Sequence, residues 1–378
     1  MKIYYLHHLP FPWGRAHDVH VIKTVYYLAR SGIETLLLAP IKKGFSLHRL
    51  LTYYGLGQPP YELRFIPFPT LRKRGFIPIT SNALYDFILY LWFLKAKRAL
   101  NREKAVLLFS EKRLTRIARK CAHGQPAVFE IHGLSYFKRG KPDPREKEAL
   151  EEASLGLVTT QSLKNLIAKI YGPSTPLIHL PLASEPMDSQ PYTGPKDPPL
   201  MVYVGQLYET QGVEVLLRAM PHIKKGQLIV IGGQKKQVKK LEKLALELGQ
   251  GNRIAFLGYQ PHRKIKNYLL AADLLILPAL SEGKQPYVAH QKLYEYFSAG
   301  RPIIASDLPS IREEITKDEA LLFPPGDPET LAKAANEVLL QPKLARELAR
   351  KAFLRAKQFD WPARTRKLIR ILEETCHV

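Results

Sequence analysis

Short apolar runs and amphipathic stretches alternate along this 378-residue chain. Residues 3–6 form the first apolar run, and residues 7–15 are a loop rich in proline and aromatic side chains. Helical periodicity over 20–30 stops at Gly32, and a second apolar run covers 34–39. This is one βαβ unit, with its loop leaving the carboxyl end of the first strand, where open parallel sheets hold ligands. Residues 105–109, 127–131, 155–159 and 177–181 read as further strands, with helices over 145–153 and 162–170. Residues 41–80, punctuated by Pro59, Pro60, Pro67, Pro69 and Pro78, read as irregular. Residues 84–100 read as an aromatic helix with a basic tail, either packed on the first sheet or dipping into a membrane interface.

The segment 189–199, SQPYTGPKDPP, has no periodicity and reads as a linker. Beyond it the alternation resumes. Strands are expected at 201–204, 227–231, 253–257, 274–278 and 320–323, and helices at 213–220, 235–248 and 264–271. Two closing helices cover 329–340 and 343–359. The expected class is α/β, with two doubly wound Rossmann-like domains facing each other across a cleft. Their bounds are 1–188 and 189–359, with a last helix at 360–378 packing back on the first.

The stretch 291–306, QKLYEYFSAGRPIIAS, condenses the pattern. Leu293, Tyr294 and Phe297 recur at helical spacing, Gly300 sits where a helix takes a left-handed cap, and Pro302 forbids further helix. An apolar strand follows. Glu295 is a carboxylate among apolar neighbours, so it is paired, capping, or aimed at a ligand hydroxyl.

Composition changes this picture little; charge changes it more. Two cysteines, Cys121 and Cys376, make neither a disulfide framework nor a metal-ligand spacing, which suits a reducing compartment. The N-terminus lacks the basic-then-apolar layout of a signal peptide, and no apolar run reaches the roughly 18 residues of a spanning helix. A cytoplasmic protein is expected. Net charge is +23, and residues 1–180 hold 28 Lys and Arg against 12 Asp and Glu. That asymmetry suits an anionic partner, such as the inner face of a membrane, or a lysine-rich surface of a heat-adapted protein. Basic aromatic stripes and recognised modules for nucleic acid are absent from the sequence, so no nucleic-acid partner is expected.

Glycine turns follow the strands of the second half at Gly205, Gly232 with Gly233, and Gly258 with Tyr259; Gly283 comes after a gap. Glycine lets backbone approach a ligand, and such turns suit a nucleotide. In the first half, Gly14 with Arg15, His17 and His20 falls in the loop of the first βαβ unit, although each histidine also suits a surface or cap role.

With these pieces in order, the second half resembles the nucleotide-binding domain of GT-B glycosyltransferases of the retaining family-4 type. YVGQLYETQGVEVLLRA, LIVIGG, RIAFLGYQPHRKIKNYLLAADLLILP, the stretch from Gln291, and LLFPPGDPETLAKAANEVL carry the resemblance. HDVHVIKTVYYLARSG and VFEIHGLS resemble the acceptor domain more loosely. The resemblance implies sugar transfer from a UDP- or GDP-sugar to a glycan or lipid-linked acceptor, with retention and with neither metal nor cofactor. It implies that Glu295 bonds the nucleotide ribose, that His132 reaches the donor sugar, and that Gly14 and Gly205 lie near the diphosphate. Gly233, Gly258, Tyr259 and Leu293 complete the implied nucleotide site.

The chain departs from the family at the phosphate turn. Gln206 and Gln211 stand where Arg and Lys are usual, and Gln cannot offset diphosphate charge. Lys292 in a K-L-x-E-Y version of the motif could supply that charge, as could Arg263, Lys264 or Arg15; Lys292 also suits a solvated helix face. Eight positions before Glu295, where the family has a second carboxylate, stands Tyr287, so Glu282 is the remaining candidate for the sugar. The same departures suit a catalytically degenerate member that binds a sugar nucleotide or a partner without turnover.

Overall fold

A computed structural model describes residues 1–9, 11–12, 16–41, 45–58, 60–69, 87, 91, 105–116, 118 and 124–376, without the side chains of 16, 66–69 and 262. Gly14, Arg15, Cys121, the run 71–74 and nearly all of the expected helix at 84–100 lie outside the described residues. Two compact units emerge. One comprises Met1–Thr159, Lys164–Leu180 and Trp361–Val378, the other Thr160–Leu163 and Pro181–Asp360. The chain therefore changes unit at Leu180, eight residues before the boundary expected from the linker, because residues 182–189 pack on the second core.

The first unit holds seven parallel strands: β1 (Lys2–Leu6), β2 (Glu34–Ile41), β3 (Leu63–Pro69), β4 (Val106–Phe109), β5 (Ala127–Ile131), β6 (Leu155–Val158) and β7 (Leu177–His179). Their order is β3-β2-β1-β4-β5-β6-β7. The second unit holds β8 (Leu200–Val204), β9 (Gln227–Ile231), β10 (Ile254–Gly258), β11 (Leu274–Leu277), β12 (Ile303–Ser306) and β13 (Leu321–Phe323), in the order β10-β9-β8-β11-β12-β13. Inner strands such as β4, β6, β11 and β12 are buried along their whole length, as parallel strands covered on both faces must be. Some helices begin on a side-chain cap. Asp143 accepts from Arg145 N ahead of the helix Pro144–Glu152, and Asp327 accepts from Glu329 N and Thr330 N ahead of Pro328–Leu340.

Two elements run against the sequence reading. Residues 41–80 are not wholly irregular: the helix Leu47–Tyr53 starts on a Ser46 cap, and β3 pairs with β2 through Pro67 and Pro69. β3 is an edge strand, so a missing N–H costs no ladder bond on its open side. Proline density signalled a loop where it marked an edge. Among the described residues no helix is long and apolar enough to cross a membrane.

The stretch 291–306 forms the helix Gln291–Ala299, a stop at Gly300 and then β12. Gly300 is left-handed at φ 58° and ψ 44°. Arg301 tucks beneath it and donates to the carbonyls of Leu270, Gln190 and Gly300. A methyl group at Gly300 would meet Phe353 and Ser189 at 3.1 Å. Gly300→Ala is therefore expected to destabilise the second unit by about 1–2 kcal/mol, through the left-handed backbone and the crowding together. Denaturant midpoints check this, and an unchanged midpoint would contradict it.

Candidate functional site

In each sheet the first strand lies between neighbours reached in opposite directions, so a crevice opens at the carboxyl ends of β1 and β4, and again at β8 and β11. β8 and β11 pair only at Met201–Leu274 and Val202–Leu275. Past that point the Tyr296 hydroxyl spans the gap, accepting from Val204 N at 3.2 Å and donating to Ile276 O at 3.3 Å.

The turn after β8 starts at Gly205, which has φ +152°. A Cβ at Gly232 would lie 2.0 Å from Gly205 O, so these two turns pack backbone on backbone. Their N–H groups are already committed: Gly205 N donates to Ile231 O and Gly232 N to Gly258 O. Neither can serve a phosphate. Charge at this turn comes instead from Lys292, on the first turn of the helix Gln291–Ala299. Its Nζ donates to Gln211 Oε1 at 2.8 Å and to the Tyr203 hydroxyl at 3.0 Å, and lies 4.3 Å from the centre of the Tyr203 ring. A Cβ at Gly205 would come within 2.7 Å of it. Burial of the ammonium pushes its pKa down to about 7, against an opposing pull from Glu295.

The other expected residues fall unevenly around this centre. Gln211 is the acceptor for Lys292, whereas Gln206 is exposed and contributes its carbonyl to Tyr203. Glu295 is half-buried three residues after Lys292 on the same helix. Gly233 and Gly258 close their strands, and Tyr259 is 67% exposed, open to stack on a planar ligand. Leu293 has its side chain 1% exposed in the core, and its N–H donates to His290 O. Neighbouring Lys292 in the motif does not put it on the same helix face. Glu282 is exposed in a turn, where its carbonyl accepts from Gln285 N. A shallow depression of about 430 Å³ on the outer side of the turn is lined by Tyr208, Glu214 and Lys240 but not by Lys292. Its Lys240–Glu214 pair at 2.6 Å satisfies itself.

The crevice of the first unit gathers histidines. His7 follows β1 and is fully buried, and neither ring nitrogen has a hydrogen-bond partner among the described residues. His17 Nε2 lies 2.8 Å from Ser110 Oγ after β4. His132 follows β5, with its ring 4.6 Å from that of His20 and 5.6 Å from that of His17. Burial lowers His17 to about 3 and His20 to about 4, so both are neutral near pH 7. His7, His17 and Asp18 bring ring nitrogens and a carboxylate oxygen within 4.8 Å of one another, as do His20, Glu130 and His132. In the second group the Arg364 guanidinium already bonds Glu130.

Sequence reasoning missed Tyr203 and Tyr296 in the second unit, and Tyr5, Ser110, Glu130 and Arg364 in the first. Tyr5, Glu130, Tyr203 and Tyr296 lie in elements chosen for their apolar pattern, where a polar atom gives no periodic signal. Glu130 alone left a trace, as a carboxylate inside the apolar run 127–131.

Comparison with known proteins bears on both units. Residues 185–355 match the family described as Glycosyl transferases group 1. A D-inositol 3-phosphate glycosyltransferase of Saccharomonospora viridis is 24% identical over 285 residues, 66% of this chain and 65% of that relative. The chain thus spans just under two thirds of that relative's length. The sucrose-phosphate synthase of Thermosynechococcus elongatus superposes with a TM-score of 0.80 at 19% identity, over 99% of both chains. Anabaena HepE in complex with UDP superposes with a TM-score of 0.71 at 16% identity, over 99% of this chain and 100% of that one. Residues 185–355 thus resemble the glycosyl transferases group 1 family, and the two parallel α/β units share the GT-B fold of these structures.

Proposed function

We propose that the protein transfers a sugar from a nucleoside diphosphate sugar to a glycan or lipid-linked acceptor, with retention of anomeric configuration and without a metal. The observation that carries this reading is the Lys292 ammonium, held against the glycine turn by two neutral oxygens. A diphosphate there would accept from Lys292 and restore its charge. The UDP held by the superposed Anabaena protein supports the same ligand class. Glu295 would take the ribose hydroxyls, Tyr259 the base, and His132 the sugar.

In the reaction the bond from the anomeric carbon to the diphosphate oxygen breaks and the bond to the acceptor oxygen forms on the same face. The acceptor proton passes to the departing phosphate oxygen. Lys292 stabilises the leaving diphosphate, and exclusion of water protects the oxocarbenium-like centre. The reading of a binding module without turnover rests on Gln206 and Gln211, and Lys292 removes most of its force. Assaying purified protein with a panel of UDP- and GDP-sugars, with the product anomer assigned by NMR, tests the proposal. Inverted product would overturn retention, and no transfer or hydrolysis from any donor would overturn the activity.

Lys292→Met is expected to weaken binding of an intact nucleotide sugar about 10–100-fold, the worth of one charged hydrogen-bonded contact. The sign of the pH effect follows from proton uptake. Bound diphosphate favours the charged lysine, so affinity is flat below pH 7 and falls by up to about tenfold per unit above it, until the raised pKa of the complex is reached. Calorimetry across pH 6–9 reads both, and a flat profile would remove Lys292 from the phosphates.

Glu295→Ala should raise the Kd for nucleotide sugar about tenfold or more. His132→Ala should cut kcat about 100-fold with little change in donor Kd. Wild-type values in both variants would remove the assignment.

We further propose that the basic first half rests on an anionic membrane surface. Cosedimentation with phosphatidylglycerol vesicles should fall steeply as salt rises, and binding indifferent to salt would count against it.

A further inference from the structure

The carboxylate of Glu130 lies in the middle of a parallel sheet, 1% exposed, in a strand whose other members are all apolar. Both its oxygens are engaged. Oε1 receives the Arg364 guanidinium and, at 2.8 Å, His20 Nε2; Oε2 lies 3.4 Å from the Tyr5 hydroxyl. Burial alone would raise its pKa, but His20 and Arg364 together hold the carboxyl well below the usual range. With His20 neutral near pH 7, the cation facing it is Arg364. Arg364 is itself buried and arrives on the helix Trp361–Cys376, 234 positions along the chain. Stability gives weak grounds for such a pair, because replacing a buried ion pair with apolar groups of similar volume is often neutral.

A local reason stands two residues away. Glu130 is two residues before His132, which directly follows the end of the strand at Ile131. The buried nitrogen of His132 is Nε2, 3.7 Å from Glu130 Oε1. That is beyond a hydrogen bond, yet catalytic contacts often close only when substrate binds. A quarter of the His132 side chain stays open, at 26% exposure. The neighbouring rings of His17 and His20 stand nearly perpendicular to it, at 85° and 77°.

We propose that Glu130 and Arg364 are positioning residues for His132. Arg364 anchors the carboxylate, and the carboxylate draws the proton of the His132 ring to Nε2, leaving Nδ1 as the lone-pair acceptor. A ring so fixed accepts a hydrogen bond from a sugar or acceptor hydroxyl and does not donate one through Nδ1. The activity arm of this inference rests on the transferase reading; the tautomer does not.

The test compares wild type, Glu130→Gln, Arg364→Lys and the double variant Glu130→Met with Arg364→Met. The double variant removes both charges together and so avoids a lone buried ion if the single variants fail to fold. Nitrogen-15 NMR of histidine-labelled protein should show His132 protonated at Nε2 in wild type and in Arg364→Lys. Glu130→Gln and the double variant should lose that preference. With the best donor, the double variant should keep its KM and lose about 10–100-fold in kcat, as for a displaced catalytic group. Arg364→Lys should recover part of the rate. A double variant with wild-type kcat, or the same His132 tautomer with and without Glu130, overturns the proposal and leaves the pair purely structural. If the wild type transfers no sugar, the transferase reading fails, and the nitrogen signals still decide the role of Glu130.

Discussion

An ammonium lodged beside a glycine turn and held by two uncharged oxygens is the constraint on which the second unit's chemistry depends. Lys292 reaches Gln211 and Tyr203, and neither can balance its charge. Burial has already drawn its pKa to about 7. Glu295 offsets part of that cost, and an anion bound here would offset more. The surrounding backbone explains why a side chain must do this. The N–H groups of Gly205 and Gly232 are committed to the ends of neighbouring strands, so the absence of Cβ atoms there creates room without supplying donors. Space comes from the glycines, and charge from the helix that follows β11.

The two crevices solve the same geometric problem with different chemistry. Where β8 and β11 part, tyrosine hydroxyls and a lysine fill the gap. Where β1 and β4 part, the filling is histidine, serine and one buried ion pair. The second arrangement presents neutral rings near pH 7, because burial has lowered His17 and His20 far below it. Neutral rings accept and donate hydrogen bonds selectively, whereas an ammonium simply attracts anions. The first crevice thus offers selective neutral rings, and the second a lysine.

Local rules made much of the fold legible. The helix Gln291–Ala299, its glycine stop and β12 were readable because cap, proline and apolar spacing all lie within sixteen residues. β3 was not, because proline's effect depends on whether a strand is at an edge, and that is decided by pairing with β2 far away in sequence. The candidate site divides the same way. Lys292 and Glu295 are partly open while Leu293 between them is in the core, since sequence adjacency says nothing about which helix face meets the core. Arg364 and Glu130 meet across 234 positions, and no periodicity encodes that contact.

The phosphate turn shows most clearly why position in a motif is weaker information than position in space. Read along the chain, Gln211 is a lost lysine and implies a weakened or inactive protein. In the fold, a lysine nitrogen lies 2.8 Å from the amide oxygen of that same residue, having come from the helix 81 positions later. The cation beside this turn is supplied by a different element. Such a relocation alters what surrounds the charge. A lysine rooted in the turn would extend from an exposed loop, whereas Lys292 approaches from a buried helix across the face of Tyr203 and loses hydration on the way. An anion bound there would raise its charge and so couple ligand and proton at one atom in a way a solvated lysine would not.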